Sequence, residues 1–398
     1  MKKWIMTFSV LCFVMLMGMG TAQAQKVVKW GALIDLSGPT SDWGKQQAAG
    51  QIDAARWIND TGGINGKEFK LIVMDDAYGI DKAMGYYKTL KDVEQVPGLY
   101  IQSTGTALSL KELVTRDKMP MFGASFTSKL MDPSKTPYNF IVTTTYEDMS
   151  RIALKWIKDN WKDKSRKPKV VHIYPDNPYG RAHLKPAKMY AEEIGIETGP
   201  DQIVHWPTAD AKSQMITMKE YNPDFAFITS TAMNAAVILK DAKEVGVKTQ
   251  FVVNIRSLDE NLPLLAGKAA DGVYGVTTVV PYGAKEVAFM KTMMDYHEKF
   301  RKAEKPTLVY CEGWANILVI SEVLKGADKK GDLSSTAVKA EFENLKDFDL
   351  KGIVPPITIT AKDHAPATKA KMYQIKDGKL VPVSDWIDIG RDPKYFGI

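Results

Sequence analysis

Val27-Val28-Lys29-Trp30-Gly31-Ala32-Leu33-Ile34, running into Asp35-Leu36-Ser37-Gly38-Pro39-Thr40, decides the fold. The first eight residues are almost continuously apolar, the pattern of a strand covered on both faces. Asp, Ser, Gly and Pro then break the chain into a loop. Trp43–Asn59 follows with Ala48, Ile52, Ala55 and Ile58 at helical spacing. A buried strand, a polar loop and an amphipathic helix are the opening of a βαβ unit.

The same alternation continues outward from this stretch. Thr61-Gly62-Gly63-Ile64-Asn65-Gly66 punctuates the chain, and Phe69–Met74 reads as a second strand ending in Asp75-Asp76. Helix Lys82–Val93, strand Gly98–Gln102, helix Leu108–Asp117 and strand Met119–Gly123 are predicted next. A second series begins with helix Met149–Trp161 and strand Val170–Tyr174. It continues through helix Arg181–Ile194, strand Gln202–His205, helix Ala211–Tyr221, strand Phe225–Thr229, helix Ala232–Val245 and strand Phe251–Asn254. Two such series predict an α/β fold with two doubly wound parallel-sheet lobes. Two long helices, Lys285–Lys302 and Leu308–Lys325, and a short β-like tail, Lys371–Val383, complete the chain.

The first residues read differently. Lys2 and Lys3 precede an apolar run, Trp4 to Met19, which ends at Thr21-Ala22-Gln23-Ala24. This is the pattern of a secretory signal peptide over residues 1–24, cut after Ala24. The run is shorter than the roughly 20 residues that span a bilayer. Leu11 before Cys12 argues against lipid attachment. Lys2 and Lys3 account for two of the net +6 charges. The remaining excess is spread among mixed acidic and basic faces, which does not point to nucleic acid. Without Cys12 the chain keeps only Cys311, so no disulfide staples the fold. About 370 residues exceed what one core usually serves, and two domains are expected.

Enzyme chemistry has little support. No G-x-G-x-x-G follows a strand, and neither a P-loop nor a G-x-S-x-G elbow is present. His172, His183, His205, His297 and His364 are scattered without metal-ligand spacing. Asp75-Asp76 reads as a strand-end turn, and Cys311 as a semi-buried thiol. No catalytic residue, cofactor or metal is therefore expected. In open parallel sheets, ligands sit beyond the carboxyl ends of the strands. The loops there hold Ser37 to Thr40 and Trp43, Ser103 to Thr106, Ala124 to Thr127, Pro175 to Gly180, Ser230-Thr231, and Asn254 to Ser257. Ser and Thr at helix starts cap backbone N–H groups and also make carboxylate receptors. Trp43, Phe126 and Tyr179 supply aromatic walls.

Several of these segments resemble one family. Trp30 to Pro39, Gly62 to Gly66 before a strand ending in Asp75-Asp76, Tyr174 to Gly180, Leu239 to Lys243, and Ala270 to Val276 are similar, in order and spacing, to the Leu/Ile/Val-binding proteins of ABC transporters. The resemblance implies a type I periplasmic-binding-protein fold, in which two lobes close on a ligand like a trap. Three hinge crossings would fall near Thr143–Thr145, Thr277–Val279 and Gly352–Val354. The first lobe would comprise residues 25–143 and 279–353, and the second 144–278 and 354–398. The partners implied are a small ligand and membrane permease subunits, and the chain is expected to be a monomer in the periplasm. The candidate ligand residues, taken from the strand-end loops and the resemblance together, are Trp43, Thr104, Gly105, Thr106, Ala124, Ser125, Phe126, Thr127, Tyr179, Thr231, Asn254 and Arg256.

The likeness fails at one informative place. Amino-acid binders of the family pair the ligand ammonium with a second-lobe acid, whereas this chain has Asn254-Ile255-Arg256 there, with Asp259 and Glu260 the nearest acids. A tyrosine of the family is replaced by Thr231. An ammonium buried without a carboxylate is costly. Arg256 reads either as a surface loop residue or as an inward group suited to a carboxylate. The ligand expected is thus a branched-chain or hydrophobic amino acid, or a related carboxylate or amide. The rival functions are a ligand sensor for a membrane receptor and an exported hydrolase.

Overall fold

The computed structural model describes residues 27–398. The signal peptide read over residues 1–24, with Cys12 and the cut after Ala24, lies outside them. Among the described residues no helix is long and apolar enough to cross a membrane.

β1 (Val27–Ile34) is a central strand, as its continuous apolarity requires. It pairs in parallel with β2 (Glu68–Asp75) on one side and β3 (Leu99–Ile101) on the other. β4 (Met121–Gly123) and β5 (Asn139–Ile141) extend this first sheet, whose order is β2-β1-β3-β4-β5. The second sheet is built on the parallel strands β6 (Lys169–Tyr174), β9 (Phe225–Ile228), β10 (Gln250–Val253) and β11 (Tyr274–Thr277). Two short strands, β7 (Glu197–Thr198) and β8 (Gln202–Ile203), pair with β6. The tail adds β12 (Lys369–Lys376) antiparallel to β11 and β13 (Lys379–Pro382) antiparallel to β12, and β14 (Ile387–Asp388) also pairs with β12. Two sheets wrapped by helices form the two lobes that the alternating pattern predicts.

The differences from the sequence reading have local causes. The helix expected from Leu108 starts at Thr104, because the Ser103 hydroxyl accepts from the Thr106 N–H at 3.2 Å and caps a first turn that has no apolar periodicity. Helix Arg181–Ile194 is two pieces, Pro178–Arg181 and Leu184–Glu193. The strand through His205 stops at Ile203, and His205 is exposed. The helix expected from Lys285 begins at Met290, beyond Pro281 and Gly283. The short strand β5 and helices Asn261–Ala266 and Ser335–Phe342 gave no clear periodic signal.

The chain passes between the sheets between β5 and helix Tyr146–Asn160, and again after β11. The third passage lies later than Gly352–Val354. Phe348 pairs with Ile357, and the His364 ring lies tilted 4.3 Å from Phe140 on β5, with its Nδ1 2.9 Å from the Asn139 carbonyl. The segment to His364 thus stays on the first sheet, held by packing that a Pro- and Thr-rich composition does not reveal. It reaches the second sheet by Lys369, whose carbonyl accepts from the Thr144 hydroxyl at 2.6 Å beside the first passage.

Helix Leu308–Lys329 packs along helix Ser41–Asp60 at unusually close range. A Cβ on Gly50 would stand 2.1 Å from the Tyr310 carbonyl oxygen, and one on Gly313 would stand 2.6 Å from that of Gln47. Gly50→Ala should therefore cost about 1–3 kcal/mol through overpacking. Gly85→Ala, with nothing within 4 Å, should gain about 0.4–1 kcal/mol. Denaturant unfolding of both variants checks this contrast; equal stabilities would contradict the close crossing.

Asp259 starts helix Asn261–Ala266, its carboxylate accepting from the Asn261 and Leu262 N–H groups at 2.9 and 3.2 Å. Burial, reinforced by the charge of Glu260, pushes its pKa from 3.8 up to about 8. The folded state then binds more protons than the unfolded state between those values, so this group's contribution falls as pH rises through the window. Asp259→Asn keeps an acceptor oxygen and should lose less Tm than the parent between pH 5 and 8. Parallel Tm–pH curves would refute this assignment.

Candidate functional site: the cleft between the two sheets

The loop after β1 is shaped by two carboxylates. Asp35, fully buried, accepts from the Gly38 N–H and from both the N–H and the hydroxyl of Thr40, the last two at 2.8 Å. Asp75 accepts from the Leu36 N–H at 2.9 Å and the Ser37 hydroxyl at 2.7 Å, tying this loop to the end of β2. Asp76 accepts from the Tyr78 N–H at 3.0 Å, and burial beside Asp35 and Asp75 raises its pKa to about 6. The Asp75-Asp76 pair thus acts as a turn, as expected from the strand-end position. It supports Ala77 and Tyr78, which both have left-handed backbone (φ 50° and 60°). Such a conformation is uncommon without glycine, and here it precedes an aromatic side chain of the cleft.

Gln102 completes the first-sheet floor. Its Oε1 accepts from the Asp35 N–H at 2.7 Å, and its Nε2 donates to the Thr40 hydroxyl at 3.1 Å. Beside it, helix Thr104–Arg116 leaves the Thr104 and Gly105 amides without helical acceptors.

The second-sheet wall is aromatic. Tyr179 sits in the helical turn Pro178–Arg181, which Asn177 caps through the Gly180 N–H at 2.8 Å. Its hydroxyl donates to the Ser230 carbonyl at 3.0 Å and accepts from Asn254 Nδ2 at 2.7 Å. Trp206 stacks on Tyr179 with centroids 5.5 Å apart and donates Nε1–H to Ser230 Oγ at 2.9 Å. Across the cleft, Tyr78 meets the edge of Trp206 at 6.0 Å.

Together Thr40, Trp43, Tyr78, Gln102, Thr104, Tyr146, Tyr179, Trp206, Thr231 and Arg256 line a narrow cavity where the two sheets meet. Of the residues singled out from sequence, Trp43, Thr104, Tyr179, Thr231 and Arg256 meet on its wall. Gly105 and Thr106 continue the Thr104 turn, with Thr106 buried. Asn254 backs Tyr179. Ser125 faces another small cavity, with Ile101, Met121 and Phe140. The Thr127 hydroxyl donates to Glu147 at 2.9 Å. Ala124 and Phe126 reach the cleft through Arg256 and Tyr146.

Arg256 is buried and inward. Its Nη1 donates to Glu312 Oε2 at 2.6 Å and its Nη2 to the Ala124 carbonyl at 2.8 Å. The guanidinium carbon lies 4.3 Å from the ring centroids of both Trp43 and Phe126. Burial alone would lower its pKa, but the adjoining Glu312 carboxylate outweighs burial and keeps it charged. The surface-loop alternative is thus overturned, and the counter-ion is a protein carboxylate. Asp259 and Glu260 are not on the cavity wall. Glu260 instead accepts from the Leu308 N–H at 2.7 Å and the Tyr282 N–H at 2.8 Å.

Five wall residues lay outside the candidate ligand set: Thr40, named only within the loop after β1, and Tyr78, Gln102, Tyr146 and Trp206. Gln102 and Tyr78 end or follow strands, where the rule about carboxyl-end loops applies to them equally. Trp206 was masked by the overlong strand to His205. Tyr146 begins a helix at the first passage between the sheets, and no local pattern marks it.

Comparison with known proteins gives a consistent picture. The family model for periplasmic binding proteins matches residues 27–379. A Leu/Ile/Val-binding protein homolog 7 of Brucella suis is 22% identical over 393 residues, covering 96% of each chain. A branched-chain amino acid ABC transporter protein of Thermus thermophilus, solved with bound valine, shares the fold with TM-score 0.84 at 23% identity, covering 92% of this chain and 97% of that one. A fatty acid ABC transporter substrate-binding protein of Thermomonospora curvata also superposes with TM-score 0.84, at 21% identity and 91% and 92% coverage. The match spans both sheets and the cleft between them, and the chain belongs to the periplasmic binding protein family.

Proposed function

We propose that this chain is the extracytoplasmic solute-binding subunit of an ABC importer and acts in the periplasm as a monomer without catalysis. The signal-peptide pattern over residues 1–24 supports export, and the family supports a permease partner in the membrane. The lobes are the unit holding the first sheet, residues 25–143 and 279 to about 365, and the unit holding the second sheet. They close by hinge motion at the three passages, driven by contacts that exist only in the closed state.

The observation that carries this reading is the cavity itself. Residues from both sheets wall it, it lies at the carboxyl ends of the strands, and five aromatic side chains share its lining with Thr40, Gln102, Thr104, Thr231 and Arg256. Trp43, Tyr78, Tyr179 and Trp206 offer apolar faces to a compact aliphatic or aromatic body. A carboxylate or amide head fits the first turn of helix Thr104–Arg116, where free amides and the helix dipole favour an acceptor. Thr104, Gly105 and Thr106 therefore form the proposed head-group site. No acid lines the cavity, so an ammonium would be buried without a counter-ion. Carboxylates and amides lacking an ammonium rank ahead of amino acids.

A thermal-shift panel of hydrophobic amino acids, keto acids, benzoates and small amides tests this function. A ligand at 100 times its Kd should add about 2.7 kcal/mol of stability. Thr104→Val, which removes one hydroxyl, should weaken carboxylates by roughly 1–2 kcal/mol, about 5- to 30-fold. A panel without a single stabilising compound, or a hit whose affinity ignores Thr104→Val, would contradict the ligand class and the head-group site respectively.

A further inference from the structure

Arg256 comes from the loop after β10, on the second sheet. The groups that hold its head, apart from the Tyr146 hydroxyl at 3.4 Å, come from the first-sheet side. Trp43 lies on helix Ser41–Asp60, Ala124 and Phe126 follow β4, and Glu312 lies on helix Leu308–Lys329. Arg256 is 6% exposed and Glu312 is 0% exposed. The guanidinium is thus a plug from one lobe seated in a socket of the other.

We propose that Arg256 and Glu312 are positioning residues that form a closure latch, fixing how the lobes meet around the ligand rather than reading the ligand's charge. The proposal rests on the reading that this cleft takes a ligand. The pair exists only when the two sides are together, since its members stand on different sheets. It is electrically neutral as a unit, so it asks for no charge from the ligand. Desolvating both ions on closure roughly offsets their attraction, which suits a contact that must also release. Removing one partner is different: it leaves the other ion buried and unpaired in the closed form, and closure becomes costly. Removing both leaves no such ion, so the double variant should close better than either single one.

This asymmetry is the test. Full-length parent, Arg256→Met, Glu312→Gln and the double variant are compared by small-angle scattering without ligand, after thermal melts confirm that each is folded. Each single variant should show a larger radius of gyration than the parent, and the double should return toward it. Affinities for benzoate and benzamide are then measured on the same four proteins. Each single variant should weaken both compounds at least tenfold and by the same factor, the double less than the product of the singles. Arg256→Lys, which retains the charge, should recover part of the loss.

Parent-like scattering in both single variants, or a double variant as open as Arg256→Met, would overturn the latch. So would an Arg256→Met effect confined to benzoate with Glu312→Gln harmless, which assigns the guanidinium to a ligand carboxylate. If neither compound binds the parent, the benzoate and benzamide assignment fails. The scattering comparison still decides the latch.

Discussion

A guanidinium taken out of water needs a carboxylate beside it, and Glu312 meets that need for Arg256 at 2.6 Å across the lobe boundary. Much of the cleft geometry depends on this seating. Trp43 and Phe126 pack against the guanidinium, Tyr146 donates to the same Ala124 carbonyl at 2.7 Å, and Tyr179 meets the edge of Tyr146 at 5.4 Å. Two smaller contacts also span the sides: Glu260 accepts from Leu308 at the start of the long helix, and Asp42 accepts from the Met233 N–H at 3.4 Å. The cavity is what remains between these contacts, so its shape is set by charge placement as much as by apolar packing.

The fold was legible because burial leaves a periodic trace. The apolar β1 could only be a strand covered on both faces, and the strand–helix alternation then required two parallel sheets. Elements without that trace were misread: the polar first turn at Thr104, the short strand β5 and the segment around His364. The site was half legible. Loops after strands pointed to Thr104, Tyr179 and Thr231 by rule. Trp206 and Tyr146 depend on how distant segments meet, and no local pattern marks such meetings. Arg256 shows the limit most clearly, because its inward position follows from Glu312, 56 residues further along the chain.

The absence of an acid at the Asn254 loop takes on a physical meaning in this structure. Three nearby acids are committed to the protein: Asp35 to its own loop, Glu260 to two backbone N–H groups, and Glu312 to Arg256. A ligand entering the cleft meets aromatic rings, a helix start and a neutralised ion pair. This favours a small acid or amide over an ammonium-bearing molecule.

The central claim is that the two lobes enclose one small organic molecule in this cavity. Native mass spectrometry of the protein purified gently from its natural source tests it most directly. The account predicts a single small non-covalent adduct per chain, released on unfolding. Protein that carries no adduct and takes up none from its own cell extract, or that binds several molecules at once, would contradict it.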